Sequence, residues 1–149
     1  MLVLVPLTLA LQVAVAQPAP DQVKAVWEYY QKGQGKGPIL ADAILCKTVE
    51  QKNKDTKFEC TEPMGDSATK GDTVNIWVAF LVPKDDTVEN VTVQAVLDGQ
   101  VRETKDLKLK GESMRTRTWT AFTLKKAGKW EFKINEGEKT IKTLSINAT

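Results

Sequence analysis

After Pro38 the chain is a succession of short runs of alternating apolar and polar residues, cut by Gly, Pro, Asn or Asp turns at intervals of about 8–12 residues. Residues 72–82 are the clearest run. Val74, Ile76, Val78, Phe80 and Val82 fall on one face, and Asn75, Trp77, Ala79 and Leu81 on the other. Side chains of a strand alternate with a period of two, so both faces of this strand are largely apolar and it belongs inside a sheet. Val91, Val93, Ala95 and Leu97 mark the next strand. Asp98-Gly99 then gives a two-residue hairpin signal. The returning run, residues 100–110, is polar and rich in Lys, which suits a sheet edge. Runs at 39–50, 58–61, 115–124, 130–134 and 141–146 bring the total to about seven or eight strands. The expectation is an all-β fold: an antiparallel β-sandwich over residues 39–149, immunoglobulin-like in architecture.

What precedes it is different in kind. Residues 1–16 carry no charged side chain, are almost wholly apolar, and end in Ala14-Val15-Ala16 before Pro18 and Pro20. Small residues before a cut and a run shorter than the ~20 of a spanning helix predict a signal peptide cleaved after Ala16. An uncleaved membrane anchor is the alternative. After cleavage no transmembrane segment is expected. Residues 17–38 read as an amphipathic helix and a Gly-rich linker. Val23, Val26, Trp27 and Tyr30 recur at i, i+3, i+4 and i+7, one apolar stripe with Asp21 as N-cap. A helix of about three turns is marginal alone in water, so the stripe must dock, on its own sandwich or on a partner.

Export makes a disulfide between Cys46 and Cys60 the expected state of these two cysteines. It would stabilise by ~3 kcal/mol through loop closure. Two buried thiols are the alternative. A zinc site would need carboxylates as well, because the chain contains no His.

The missing histidines also remove His-based triads and the commonest acid–base catalyst, and oxidised cysteines offer no thiolate. Gly33-Gln34-Gly35-Lys36-Gly37 follows a helix instead of preceding one, so it reads as a linker and not as a phosphate loop. Carboxylates acting alone are the remaining catalytic option. Asp85, Asp86 and Glu89 form the densest acidic cluster, a weak candidate for calcium against the plainer reading of a solvated loop. No catalytic residues, resident metal or cofactor are expected. A net charge of +2 without a dense basic face argues against a nucleic-acid partner. Two Asn-x-Thr sequons, at Asn90 and Asn147, matter only in a eukaryotic secretory path.

Trp77 and Trp130 sit in apolar alternations and are expected in the core. Trp119 shares a strand face with Arg115 and Arg117, while Thr116, Thr118, Thr120 and Phe122 lie opposite. Arg beside Trp is a recurrent element of binding surfaces, which makes this trio the candidate binding face. The alternative has Trp119 covering the core edge beside solvated arginines.

Leu45-Cys46, Arg117-Thr118-Trp119-Thr120, Gly128-Lys129-Trp130-Glu131-Phe132 and Leu144-Ser145-Ile146 resemble a bacterial family known only as a domain of unknown function. The resemblance spans roughly residues 39–146. It departs at Val93-Gln94-Ala95-Val96, where that family tends to carry a Trp, and in having a second cysteine. It implies an exported or membrane-tethered β-sandwich and no particular activity. The expected role is a non-catalytic structural or interaction subunit of an extracytoplasmic assembly, periplasmic, outer-membrane-associated or extracellular, with protein partners. Self-assembly is left open. The alternative is a ligand-binding module for carbohydrate or peptide.

Overall fold

A computed structural model of the chain describes residues 20–32, 38–82, 86–111 and 115–149. The signal-like residues 1–16 lie outside them. Helix α1 runs over Pro20–Lys32. Pro is favoured in a first helical turn, and Asp21 sits within that turn, not before it, where its charge suits the helix dipole.

Nine strands follow among the described residues: β1 Ile39–Val49, β2 Cys60–Pro63, β3 Ser67–Ala68, β4 Thr73–Leu81, β5 Thr87–Leu97, β6 Gln100–Lys110, β7 Arg115–Thr123, β8 Gly128–Glu136 and β9 Lys139–Ala148. They form a four-stranded sheet in the order β2-β1-β4-β7 and a five-stranded sheet in the order β3-β9-β8-β5-β6. Every pairing is antiparallel except β3 with β9. The chain is an all-β sandwich, as its alternations predict.

The sheets face each other across one core. Val74, Ile76, Val78 and Phe80 of β4 meet Val91, Val93, Ala95 and Leu97 of β5 and Trp130, Phe132 and Ile134 of β8, all buried. Phe122 and Phe132 close the middle with ring centroids 5.4 Å apart. The Trp130 indole, half of whose interest is where its N–H goes, donates to the Lys126 carbonyl at 2.9 Å. β4 is interior to its sheet and β6 is an edge, in line with the two-sided apolar pattern of one and the lysines of the other.

Two turns depend on backbone conformations that few residues adopt. Asp98 and Gly99 both have positive φ, 52° and 75°, the type I′ geometry that matches strand twist in a two-residue hairpin. Gly128 opens β8 at φ +131°, and a Cβ there would stand 2.9 Å from Leu97 Cδ1. Leu97 is itself buried, so its Cδ1 would move aside only by disturbing core packing. Gly128→Ala therefore destabilises the fold by roughly 1–3 kcal/mol through backbone strain and overpacking. Chemical denaturation of the single variant checks this, and an unchanged midpoint would mean that the β7–β8 turn relaxes.

The sequence pattern places the strand after Cys46 two residues too early. It begins at Cys60, not Phe58, because Phe58 takes a left-handed φ of 67° that breaks the extended run. Residues 62–72, which carry Pro63, Gly65 and Gly71 and no run of alternation in the sequence, contain β3. This strand is only two residues long, too short to show any alternation.

Candidate functional site

The outer face of the four-stranded sheet is where the predicted site residues fall. β4 and β7 pair in unbroken register from Thr73↔Thr123 to Leu81↔Arg115, which sets Trp77 directly opposite Trp119. Trp77 is buried although it points away from the core between the sheets. With Cys46, Val49 and Ala79 it forms a second, smaller apolar cluster, against which Trp119 and Cys60 pack.

The cover for this cluster is the segment between β1 and β2, residues 50–59, which folds back as a clip. Its base is closed by Glu50 N–H donating to the Glu59 carbonyl at 2.9 Å and Phe58 N–H donating to the Glu50 carbonyl at 2.7 Å. The Cys46–Cys60 disulfide ties the same place, with Cα atoms 5.9 Å apart in adjacent strands of one sheet. At the start of the clip, one carboxylate oxygen of Glu50 accepts the backbone N–H groups of Gln51, Lys52 and Asn53. Those bonds, led by that from Lys52, hold the Glu50 carboxyl below its ordinary value of 4.5.

Phe58 and Glu59 are the parts of the clip that touch the sheet. The Phe58 ring packs on Trp119 with centroids 5.7 Å apart and planes tilted by 42°. The Phe58 carbonyl accepts the Trp77 indole N–H at 2.6 Å. The Glu59 carboxylate pairs with Arg117 and, at 3.6 Å, with Arg115. The Arg115 guanidinium lies 5.6 Å from the centre of the Trp77 ring, in cation–π range. The positive φ of Phe58 is thus held by three independent attachments: a ring stack, an indole hydrogen bond and the neighbouring ion pairs. Arg115, Arg117 and Trp119 are brought together on one face, as their alternation requires, but in a packed cluster with a carboxylate between the arginines. Sequence reasoning missed Phe58 and Glu59. Their only signal is position: both lie within two residues of Cys60, the fixed end of the clip.

Beside the cluster the sandwich is open. β6 and β7 are the edges of different sheets on the same side of the molecule. A groove of about 410 Å³ runs between them, lined by Lys108 and Lys110 from β6, Arg115, Arg117 and Thr118 from β7, and Phe58 from the clip. Lys108 pairs with Glu89 across β5 and β6, and the hydrogen bond and charge of that lysine hold the Glu89 carboxyl below its ordinary value. Of the candidate calcium ligands, Glu89 is engaged in this way and Asp86 accepts the N–H of Thr87 at 2.8 Å. Asp85 lies outside the described residues. No group of three His, Cys, Asp or Glu side chains converges as metal ligands among the described residues.

The candidate partner helix lies alongside β1. A shallow cavity of about 350 Å³ separates it from the sandwich, lined by Asp21 and Ala25 of the helix and by Ile39, Leu40, Lys139 and Ile141. Val26 is half-buried. Val23 and Trp27, one turn apart, are each 51% exposed. The side chain of Tyr30 lies outside the described residues. No described helix is long and apolar enough to cross a membrane.

With this geometry in view, the chain is similar to a crystallographically solved immunoglobulin-like protein from Pseudomonas aeruginosa. The TM-score is 0.51 at 10% sequence identity, over 76% of this chain and 98% of that one. It is also similar to the CARDB domain of a Pyrococcus furiosus protein solved by NMR, with a TM-score of 0.40 at 10% identity, over 77% of this chain and 98% of that one. No family model matches the sequence, and no curated protein does. The first likeness concerns the fold: the molecule is an immunoglobulin-like β-sandwich. Its disulfide bridges neighbouring strands within one sheet and does not join the two sheets.

Proposed function

We propose that this protein is a non-catalytic interaction module of an extracytoplasmic assembly. The observation that carries the reading is the half-exposed Val23–Trp27 pair on α1. Large apolar side chains one turn apart on a short helix are an anchor pattern for a partner groove. Two sequence features favour export: the apolar residues 1–16 with their small-residue end, and the paired cysteines, whose disulfide suits an oxidising compartment. The resemblance to an exported bacterial domain family points the same way. A carbohydrate platform on Trp119 is the weaker reading, because the Phe58 ring already packs on that indole.

The test places a photo-crosslinking amino acid at Val23 in cells that make the protein, with Lys142 on β9 as the control site. The expected result is one adduct of defined mass, from residue 23 only, lost when Trp27→Ser is added and the thermal midpoint is unchanged. Crosslinks confined to the chain's own β1 and β9 would overturn the reading and make α1 a structural cover.

A further inference from the structure

The clip and the helix leave one long strand edge unaccounted for. β7 is the last strand of its sheet, pairs with β4 over its whole length without a bulge, and contains no Pro. Edge strands of soluble proteins are usually short, bulged, broken by Pro, covered or charged, because a straight edge pairs with any extended chain that reaches it. Of the devices within the strand itself, β7 has only the charges of Arg115 and Arg117. The phase of its backbone groups follows from hydrogen bonds at both ends of the sheet. Met64 N–H donates to the Leu45 carbonyl, so Leu45 faces β2. Alternation then turns Ile44 and Cys46 toward β4, Ile76 and Val78 toward β7, and Thr118 and Thr120 back toward β4. The backbone N–H and C=O groups of Arg117, Trp119 and Ala121 point outward. The other end agrees: the Lys105 ammonium reaches across from β6 and donates to the Ala121 carbonyl.

The groove between β6 and β7 follows this edge. Its walls hold Lys108 and Lys110 on one side and Arg115 and Arg117 on the other. Among the described residues those four cations pair with two carboxylates, Glu59 and Glu89, so positive charge predominates on the described walls. A strand laid along β7 would alternate its side chains between the two walls and meet cations on both. A second copy of β7 would bring Arg115 and Arg117 against these same cations, so the charge disfavours self-pairing.

We infer that the β7 edge is an acceptor for an extended acidic peptide segment of a partner protein, which adds as a fifth strand to the four-stranded sheet. Backbone hydrogen bonds to Arg117 and Trp119 supply the register, and carboxylates facing Lys108, Lys110 and the arginines supply the selectivity. This site is separate from the α1 surface and stands or falls independently of it.

The probe is a fluorescein-labelled peptide of repeated Glu-Glu-Val-Val, which presents carboxylates on both faces of a strand, titrated into the full chain and read by anisotropy. A second peptide of identical sequence is N-methylated at alternate residues, which keeps the charge and removes strand hydrogen bonds. The unmodified peptide binds and slows hydrogen exchange at the Arg117 and Trp119 amides, while N-methylation weakens it by at least about tenfold. Lys108→Glu with Lys110→Glu weakens it similarly; both side chains are exposed, so the thermal midpoint serves as the folding control. Equal binding of the two peptides, or of an anionic oligosaccharide such as oligogalacturonate, would reduce the groove to a general anion surface and overturn strand addition. Absence of peptide binding at millimolar concentration overturns it as well.

Discussion

Serine at both Cys46 and Cys60 lowers the free energy of unfolding by about 3 kcal/mol and the melting temperature by on the order of 10 °C. The bond spans 14 residues, and closing a loop of that length removes conformations chiefly from the unfolded chain. The double variant is the right test because either single one leaves a reactive thiol. The loss has a second, local part. With the disulfide gone, residues 50–59 keep only their hydrogen-bonded base and the contacts of Phe58 and Glu59. Tryptophan emission from Trp77 and Trp119 then shifts to the red at denaturant concentrations where far-UV circular dichroism is still native. In the oxidised protein the two probes report one coincident transition. Coincident transitions in the serine variant, at an unchanged midpoint, would show that the clip holds without its covalent tie.

Trp77→Ala is the second large effect, roughly 3–5 kcal/mol for removing a buried aromatic side chain. Its distinctive feature is the direction in which the cavity opens. Trp77 fills space under the clip, so truncation undermines the Phe58 stack and strands the Phe58 carbonyl that accepted its indole N–H. Trp77→Phe separates the two contributions: the ring remains, the hydrogen bond goes, and the cost falls to about 1 kcal/mol. A double-mutant cycle between Trp77→Ala and the paired serines measures their coupling. Both changes release the same segment, so their separate costs exceed the combined cost by on the order of 1 kcal/mol. Strict additivity would mean that Trp77 and the disulfide stabilise unrelated parts of the molecule.

The sandwich was legible because its strands announce themselves locally. The two-faced run of β4, the Asp98-Gly99 turn and the lysines of β6 are each readable within about ten residues, since strand side chains alternate and tight turns demand particular backbone angles. Arg115, Arg117 and Trp119 could be placed on one face for the same reason. What lies over them could not. Glu59 reaches Arg117 across 58 positions of sequence, and no local period encodes that meeting. Phe58 misled for a related cause: an aromatic residue beside Cys60 has strand propensity, and it is contacts distant in sequence, with the Trp119 ring, the Trp77 indole and the Glu59 ion pairs, together with its own N–H bond to Glu50, that keep it in the left-handed region. β3 gave no signal because its pairing with β9 involves two residues.

The clip also separates variation from architecture. Its two ends are fixed to each other by the disulfide and by the Glu50–Glu59 hydrogen bond, while residues 51–57 between them are exposed. Chain inserted between Lys54 and Asp55 would lengthen the tip without moving the stem, and neither the sandwich core nor the register of β1 with β4 would register the change. The segment is in that sense an interchangeable cassette on a fixed frame, the place where descendants of this chain can acquire new surfaces most cheaply.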